Sequence, residues 1–199
     1  MIVVVDYEAG NLRSVAKAIE SLGSRVSVTA DPAAVERAEK IVLPGVGSFG
    51  KAAENLKRKG LIGPLVQSIR KGKAFLGICL GLQLLFEASE ENPDASGLSV
   101  LSGDVARFRM DLKVPHLGWN QVLQTVESPL WKGVPDGAFF YFAHSYCVRP
   151  ADPAVVSGTT VYGSDFVSAV WKNRLFGIQF HPEKSQKWGL KVLGNFIGL

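Results

Sequence analysis

The sequence is poor in the residues that build metal sites, disulfide scaffolds and membrane spans. Its 199 residues include two cysteines, Cys79 and Cys147, at no metal-binding or redox spacing, and three dispersed histidines. No apolar run approaches the ~20 residues that a membrane-spanning helix needs. The apolar residues 1–5 meet Asp6 at once, so no signal peptide is predicted. We therefore expect a protein of the reducing cytoplasm that has free thiols and needs no metal or cofactor.

Long blocks of like charge are also missing. The chain has 22 lysines and arginines against 18 aspartates and glutamates, which gives a net charge of +4. The densest basic run, residues 57–59, falls at the end of a predicted helix, where cations suit the helix dipole. We therefore expect neither nucleic acid nor a membrane as a partner, while a basic face for a phosphorylated substrate or partner stays open.

Apolar periodicity predicts an α/β fold. In the first half of the chain, short buried-type strands alternate with amphipathic helices, a pattern typical of a parallel sheet with helices on both faces. From residue 97 to residue 175, short alternating runs predict antiparallel strands that extend the sheet, and a closing helix is predicted after Glu183. We expect one domain over residues 1–199, built on an open, mostly parallel, twisted sheet. The antiparallel strands are expected at residues 98–108, 122–126, 138–148, 154–161 and 166–171.

The most informative stretch is residues 74–83. Residues 74–78 form an apolar run that fits a buried strand, and residues 80–86 continue at helical spacing. Cys79 lies at the junction between Gly77 and Gly81, as in the nucleophile elbow of hydrolases, where a sharp strand-to-helix turn needs glycine beside its apex. Such a turn exposes the sulfur at a strand end and at a helix N-terminus, where a thiolate is favoured. Cys79 is therefore predicted to be a nucleophile rather than a small core residue.

A thiol nucleophile needs a base, and the best candidate follows another predicted strand, residues 175–180. His181 stands at the end of that strand. If the chain stays extended through Pro182, His181 and Glu183 point to the same side, so Glu183 can hold the imidazole while His181 moves the proton. A surface His-Pro turn with a solvated glutamate is the alternative for His181 alone. The elbow at Cys79 in the same chain favours the triad.

Three glycines within residues 44–50 match the dinucleotide-binding pattern Gly-x-Gly-x-x-Gly. That kind of site also needs an acidic residue at the end of the following strand, and here the following strand ends at Cys79. We favour a flexible loop whose amides, at Val46 and Gly47, form an oxyanion hole together with the amide of Leu80. A tight turn that uses glycine for its backbone angles is the third interpretation.

Two stretches rich in aromatic residues are poorly explained as core. Residues 115–120 combine proline, histidine, glycine and tryptophan, which suits a surface loop that binds a partner. Residues 141–146 read as a strand with Phe142, His144 and Tyr146 on one face. For His144 alone, a buried histidine with satisfied hydrogen bonds is the preferred interpretation.

Taken together, these motifs resemble the class I (triad) glutamine amidotransferases. The similarity runs nearly end to end and rests on residues 44–47, 77–86, 115–120, 141–146 and 179–185. The resemblance implies that Cys79 is the nucleophile, His181 the acid and base, and Glu183 the residue that orients His181. It also implies a glutamine pocket formed by Gly47, Gln83, Ser145 and Tyr146.

The stretch at residues 115–120 and the pair Lys184-Ser185 resemble, within this family, the members that pass ammonia to a separate (β/α)₈ cyclase chain in histidine biosynthesis. Such members act as a heterodimer with the cyclase. The residues implied near the partner interface are Pro115, His116, Trp119, Asn120, Tyr141 and Lys184. The alternatives are the glutaminase of another ammonia-channelling synthase such as pyridoxal phosphate synthase, a nucleotide-binding module, and a non-catalytic interaction subunit.

Overall fold

The computed structural model describes residues 1–109 and 112–199, and within them twelve strands form one open sheet. The strands are β1 (Ile2–Val5), β2 (Val26–Thr29), β3 (Lys40–Gly45), β4 (Ala74–Cys79), β5 (Ala88–Ser89), β6 (Gly103–Arg107), β7 (His116–Gln124), β8 (Ala138–His144), β9 (Tyr146–Pro150), β10 (Val156–Tyr162), β11 (Ser164–Lys172) and β12 (Leu175–Ile178). The α-helices are α1 (Leu12–Glu20), α2 (Pro32–Arg37), α3 (Phe49–Arg58), α4 (Ile62–Arg70), α5 (Leu80–Gln83) and α6 (Gln186–Ile197). None of the helices described here is long and apolar enough to cross a membrane.

The sheet has a parallel half and an antiparallel half. Its main strand order is β2-β1-β3-β4-β12-β11-β10-β7-β8, and the pairings from β2 to β12 are parallel. The pairings from β12 to β8 are antiparallel, and β9 adds a branch that joins β11 to β6. The predicted open sheet, extended by antiparallel strands, is confirmed.

Helices cover both faces of the parallel half, which explains why its inner strands are apolar throughout. On one face, Val15 of α1 and Leu193 of α6 pack in a buried cluster with Val4. On the other face, Leu56 of α3 and Leu65 of α4 belong to a second buried cluster. The sheet is therefore the central layer between two cores.

Two local signals mark helix starts, and one loop is shorter than predicted. Asp31 caps α2 by accepting hydrogen bonds from two amides of its first turn. Ser48 caps α3 in the same way, so α3 begins at Phe49. Because β3 runs to Gly45, the loop expected over residues 44–50 contains only residues 46–48.

Three other expectations on element boundaries were wrong. Residues 116–120 are not a loop but the first half of β7, paired with β8. The helix expected over residues 80–86 ends at Gln83, because the carbonyl groups of Leu84 and Leu85 accept hydrogen bonds from Leu98 and Leu101. The strand expected over residues 98–108 is shorter and corresponds to β6. The strand expected over residues 138–148 is divided at Ser145 into β8 and β9.

The turn from β4 to α5 is very tightly packed. A Cβ atom on Gly81 would lie 1.7 Å from the carbonyl oxygen of Leu43, and one on Gly77 would lie 2.6 Å from the carbonyl oxygen of Gly81. Both obstacles are main-chain atoms, which cannot rotate away. The glycines on either side of Cys79 are therefore required by packing, as the sequence predicted.

Gly81→Ala is expected to lower the free energy of unfolding by about 2 kcal/mol or more, because the added methyl overlaps a backbone carbonyl. Gly194→Ala is the matched control. Gly194 lies inside α6 with no atom within 4 Å of the added Cβ, so the free energy of unfolding should rise slightly. Urea unfolding of both variants measures the difference, and equal stabilities would contradict the packing argument.

Candidate active site

Three neighbouring strands bring the predicted catalytic residues to one edge of the sheet. Gly45 at the end of β3 is paired with Cys79 at the end of β4, and Ile178 at the end of β12 is paired with Ile78. The carboxyl ends of parallel strands are where open α/β sheets bind ligands. His181 follows β12 by three residues, so it reaches the same edge as Cys79.

Cys79 occupies a strained backbone conformation at the apex of the turn. Its φ is 54° and its ψ is −107°, in a region that residues with a side chain rarely adopt. The side chain is 5% exposed and forms the entry to α5. Because α5 has only four residues, its macrodipole is small. Any stabilisation of a thiolate at Cys79, the N-cap of α5, would come from the free N–H groups of the first turn.

His181 and Glu183 form the predicted pair, although the predicted reason was wrong. The chain does not stay extended through Pro182, since residues Pro182–Lys184 form a 3₁₀ turn. Nδ1 of His181 nevertheless lies 2.9 Å from Oε1 of Glu183, and both side chains are buried. The side-chain amide of Asn11 donates a hydrogen bond to the same carboxylate oxygen. Glu183 is therefore held by two donors from distant parts of the chain.

The electrostatics of the site favour a protonated imidazole. Burial works against the charge on His181, but the neighbouring sulfur of Cys79 and the carboxylate of Glu183 outweigh it and raise the pKa of His181 to about 10. Nε2 of His181 is buried, and no residue in the described ranges forms a hydrogen bond with it. That atom is therefore free to exchange a proton with the thiol or with a bound substrate.

Two glutamines connect the nucleophile to the opposite wall of the site. Nε2 of Gln179 donates to Sγ of Cys79 at 3.5 Å. Nε2 of Gln83 lies 3.3 Å from Oε1 of Gln179 and 3.2 Å from the carbonyl oxygen of Tyr146. Gln83 was predicted to belong to the site, whereas Gln179 and Asn11 were missed. The only sequence signal for Gln179 was its position two residues before His181.

A cavity of about 120 Å³ opens beside the sulfur of Cys79. The structure brings there all the residues predicted for the glutamine pocket and the oxyanion hole. It adds Glu91 and His144, which sequence reasoning did not place at the pocket. The lining residues are Val46, Gly47, Cys79, Leu80, Gln83, Glu91, His144, Ser145 and Tyr146.

The first turn of α3 argues against the dinucleotide-binding alternative. The amide of Phe49 donates to the carboxylate of Glu91 at 2.7 Å, and the amide of Gly50 donates to the side chain of Asn92 at 2.8 Å. A dinucleotide site needs these helix N-terminal amides for its pyrophosphate. Here a negatively charged side chain already occupies that position.

Three of the residues predicted near a partner, Trp119, Tyr141 and Lys184, lie together on the outer face of β7 and β8. Trp119 is 46% exposed and lies opposite Tyr141, with their ring centroids 6.2 Å apart. Lys184 extends over the ring of Tyr141. His116 is only 3% exposed and points to the inner face, so it does not reach this surface. We call the side chains of Leu117, Trp119, Phe139 and Tyr141, which share this outer side of the two strands, the β7–β8 face.

The described part of the chain contains no obvious set of ligands for a metal ion. No group of three or more histidine, cysteine, aspartate or glutamate side chains there is arranged to hold a metal ion. Cys79 and Cys147 are both free thiols. The polar groups around the cavity fit the acyl-transfer site with a thiol nucleophile that the sequence predicts.

Comparison with known proteins gives a consistent family. A model described as glutamine amidotransferase class-I matches residues 3–198. The chain is 49% identical over 195 residues to imidazole glycerol phosphate synthase subunit HisH of Moorella thermoacetica, covering 98% of this chain and 93% of that protein. It is 50% identical over 195 residues to the HisH subunit of Aquifex aeolicus, with coverages of 98% and 94%.

Solved structures share the fold at low identity. One, described as a glutamine amidotransferase, superposes with a TM-score of 0.79 at 18% identity and covers 100% of both chains. A structure of PurLQS from Thermotoga maritima gives a TM-score of 0.76 at 19% identity, covering 99% of this chain and 97% of that chain. At these identities the likeness shows the fold alone.

His181 is expected to remain protonated at neutral pH, since its pKa is raised to about 10. Replacing the thiolate by a hydroxyl in Cys79→Ser removes one of the two negative partners and should lower that pKa by about one unit or more. NMR of ¹⁵N-labelled histidine as a function of pH measures both values.

The other two histidines serve as internal controls for this titration. Burial lowers the pKa of His116 to about 4 and that of His144 to about 3, so their signals should stay those of neutral imidazole down to about pH 5. A wild-type His181 that titrates near its ordinary pKa would contradict the ion pair with Cys79.

Proposed function

The chain belongs to the class-I glutamine amidotransferase family, and from that membership we propose that it is the glutaminase subunit of an imidazole glycerol phosphate synthase. The observation that carries the proposal is the position of Cys79 in the wall of a cavity, with the hydrogen-bonded pair His181 and Glu183 at the same edge of the sheet. Identity of 49–50% along nearly the whole length to subunits of that name supports it. In this proposal residues 1–199 act as one glutaminase domain in a reducing cytoplasm, because Cys79 works as a free thiol.

The reaction begins with attack by the Cys79 thiolate on the side-chain carboxamide carbon of glutamine. The tetrahedral intermediate collapses when His181 gives its proton to the departing nitrogen, which leaves as ammonia. A γ-glutamyl thioester then remains on Cys79. Water, deprotonated by His181, attacks the thioester carbon, and glutamate leaves as the thiolate is restored. Glu183 stabilises the imidazolium and fixes the orientation of its ring throughout.

The amides of Val46, Gly47 and Leu80 are our candidates for the oxyanion hole. Residues 46–48 are exposed, and they are anchored by the pairing of β3 with β4 on one side and by the capped start of α3 on the other. Gly47 has a φ of 115°, which a residue with a side chain would not tolerate. We propose that these amides turn toward the oxyanion when the partner binds its ligand, a population shift of a few kcal/mol.

Recognition of glutamine falls to the remaining walls of the cavity. Gly47, Gln83, Ser145 and Tyr146 offer backbone and side-chain polar groups for the substrate. Glu91 adds a carboxylate, which suits the α-ammonium group of an amino acid. The cavity therefore has polar groups for both ends of a glutamine molecule.

The partner in this proposal is a (β/α)₈ cyclase subunit that binds the β7–β8 face as a heterodimer. The relatives are named as subunits of a synthase, which implies a second chain. An exposed apolar face with tryptophan and tyrosine at its centre is typical of a protein interface. Ammonia passes to the cyclase without meeting bulk water, where it would be protonated, and is used to make imidazole glycerol phosphate and an aminoimidazole carboxamide ribotide.

Cys79→Ala is expected to reduce glutamine-dependent turnover by about 10³-fold or more, because the thiol that forms the thioester is removed. Ammonia-dependent synthesis by the cyclase should be retained, since it does not use the thiol. Glutamate release is measured for the chain alone and with the cyclase and its ribonucleotide ligand, where a large rise is expected. Cys147→Ala, which alters the second free thiol, should leave both rates unchanged.

Other outcomes of this experiment separate the alternatives. Stimulation by a pyridoxal phosphate synthase subunit instead of the cyclase would assign the glutaminase to that pathway. Loss of both glutamine- and ammonia-dependent synthesis in Cys79→Ala would indicate failed folding or assembly. No glutamate release by the wild-type chain with either partner would contradict the glutaminase itself.

Trp119→Ala is expected to weaken binding of the cyclase by about tenfold or more, because aromatic anchors carry a large share of interface energy. Leu22→Ala removes a side chain of comparable exposure outside the β7–β8 face and should leave the Kd unchanged. Calorimetric titration of each variant with the cyclase measures the effect. An unchanged Kd for Trp119→Ala would place the partner elsewhere.

A further inference from the structure

A chain of hydrogen bonds, buried at its centre, runs from β7 to the cavity beside Cys79. Nδ2 of Asn120 lies 3.3 Å from Nε2 of His116, and Nδ1 of His116 lies 3.2 Å from Nε2 of His144. Nδ1 of His144 lies 2.8 Å from the carbonyl oxygen of Tyr146. The glutaminase mechanism described above uses neither histidine.

The direction of every bond in this chain follows from its last acceptor. A carbonyl oxygen cannot donate, so the hydrogen between His144 and Tyr146 is on Nδ1 of His144. In a neutral imidazole the other nitrogen, Nε2, is then an acceptor, and its partner Nδ1 of His116 has to be the donor. The same reasoning makes Nε2 of His116 the acceptor of a hydrogen from Asn120.

The orientation of Asn120 is fixed independently. Its Nδ2 also donates to the carbonyl oxygen of Val161 at 2.8 Å, and its Oδ1 accepts from the amide of Gln121 at 2.8 Å. The side chain therefore presents its second N–H to His116. All the bonds from Asn120 to Tyr146 then point the same way, and both histidines carry their hydrogen on Nδ1.

The surroundings of the pair keep both rings neutral and in place. His116 is stacked between Phe142 and Tyr162, with centroid distances of 4.9 and 4.1 Å. His144 packs beside Phe108 and Phe166 at 5.1 and 5.2 Å. Burial lowers the pKa of both rings, and the positive charge of His181 acts on His144 in the same direction.

The two ends of the chain lie at functionally different surfaces. At one end, the carbonyl of Tyr146 also accepts a hydrogen bond from Gln83, and Ser145 and Tyr146 form one wall of the cavity. At the other end, Asn120 directly follows Trp119 in β7, and the side chain of Trp119 belongs to the β7–β8 face. We propose that Asn120, His116 and His144 form a histidine relay that positions the Ser145–Tyr146 wall for glutamine and ties it to the β7–β8 face.

This inference rests on the proposed glutaminase function, but its first test does not require activity. Two-bond ¹⁵N–¹H spectra of the ¹⁵N-histidine-labelled chain distinguish the two tautomers of each ring. His116 and His144 should both be in the Nδ1–H tautomer, which is the minor form of free histidine in water. An Nε2–H tautomer or a charged ring for either residue at pH 7 would overturn the relay.

The second test uses two substitutions at His116, which does not line the cavity. In His116→Asn the side-chain amide replaces Nδ1 and can still donate to His144. In His116→Gln the amide reaches the position of Nε2 and pairs with Asn120, but the donor to His144 is lost. Both variants remove the stacked ring, so a purely structural role predicts the same effect for both.

The relay predicts different kinetics for the two variants in complex with the cyclase. His116→Gln should raise the KM for glutamine about tenfold with a smaller change in kcat, because a buried acceptor loses its donor. His116→Asn should keep the KM close to the wild-type value, and the His144 tautomer should be retained only in this variant. Thermal unfolding checks that both variants are folded.

The possible results separate the relay from the function on which it rests. Equal KM values and equal His144 tautomers in the two variants would overturn the relay. If the wild-type chain releases no glutamate with the cyclase, the proposed glutaminase fails, and the tautomers alone decide whether the relay exists. Should His116→Gln change the tautomer of His144 but not the KM, the relay would have no role in positioning the wall, and the proposal would be wrong.

Discussion

The site depends on the parallel pairing of β3, β4 and β12 in one register. That pairing aligns Gly45 with Cys79 and places the residues after β12 at the same edge. A shift of one residue in β12 would move His181 to the other face of the sheet. The apolar clusters on both faces stabilise the register, so the geometry of the triad is a consequence of core packing far from the sulfur.

The sequence predicted the parts of the site that local chemistry determines. The glycines around Cys79 were predicted for a steric reason, and the close approach of Gly81 to the carbonyl group of Leu43 confirms it. His181 and Glu183 were predicted as partners from their spacing, but through an extended chain rather than a 3₁₀ turn. Side chains two residues apart can meet in either conformation. The spacing therefore indicated that His181 and Glu183 interact, but not which backbone conformation joins them.

The parts that were missed depend on contacts between distant residues. Asn11 lies 172 positions before Glu183 in the sequence, and Cys79 lies 100 positions before Gln179. The contacts between these side chains form only in the folded chain. Residues 115–120 were expected in a surface loop because they combine proline, histidine, glycine and tryptophan. Pairing with β8 and stacking of His116 among aromatic rings outweigh those local preferences. A local pattern in one sequence does not predict which distant strand will pair with it.

The small size of the cavity has a consequence for the redox chemistry of the nucleophile. A thiolate is the form of cysteine that oxidants and disulfides attack most readily, so an activated Cys79 is exposed to damage whenever it waits for substrate. A space of about 120 Å³ has room for an amino-acid side chain but not for a tripeptide thiol or another protein's disulfide. In the proposed function, the walls that bind glutamine thus also act as a size filter, which leaves small oxidants such as peroxide as the main hazard to Cys79.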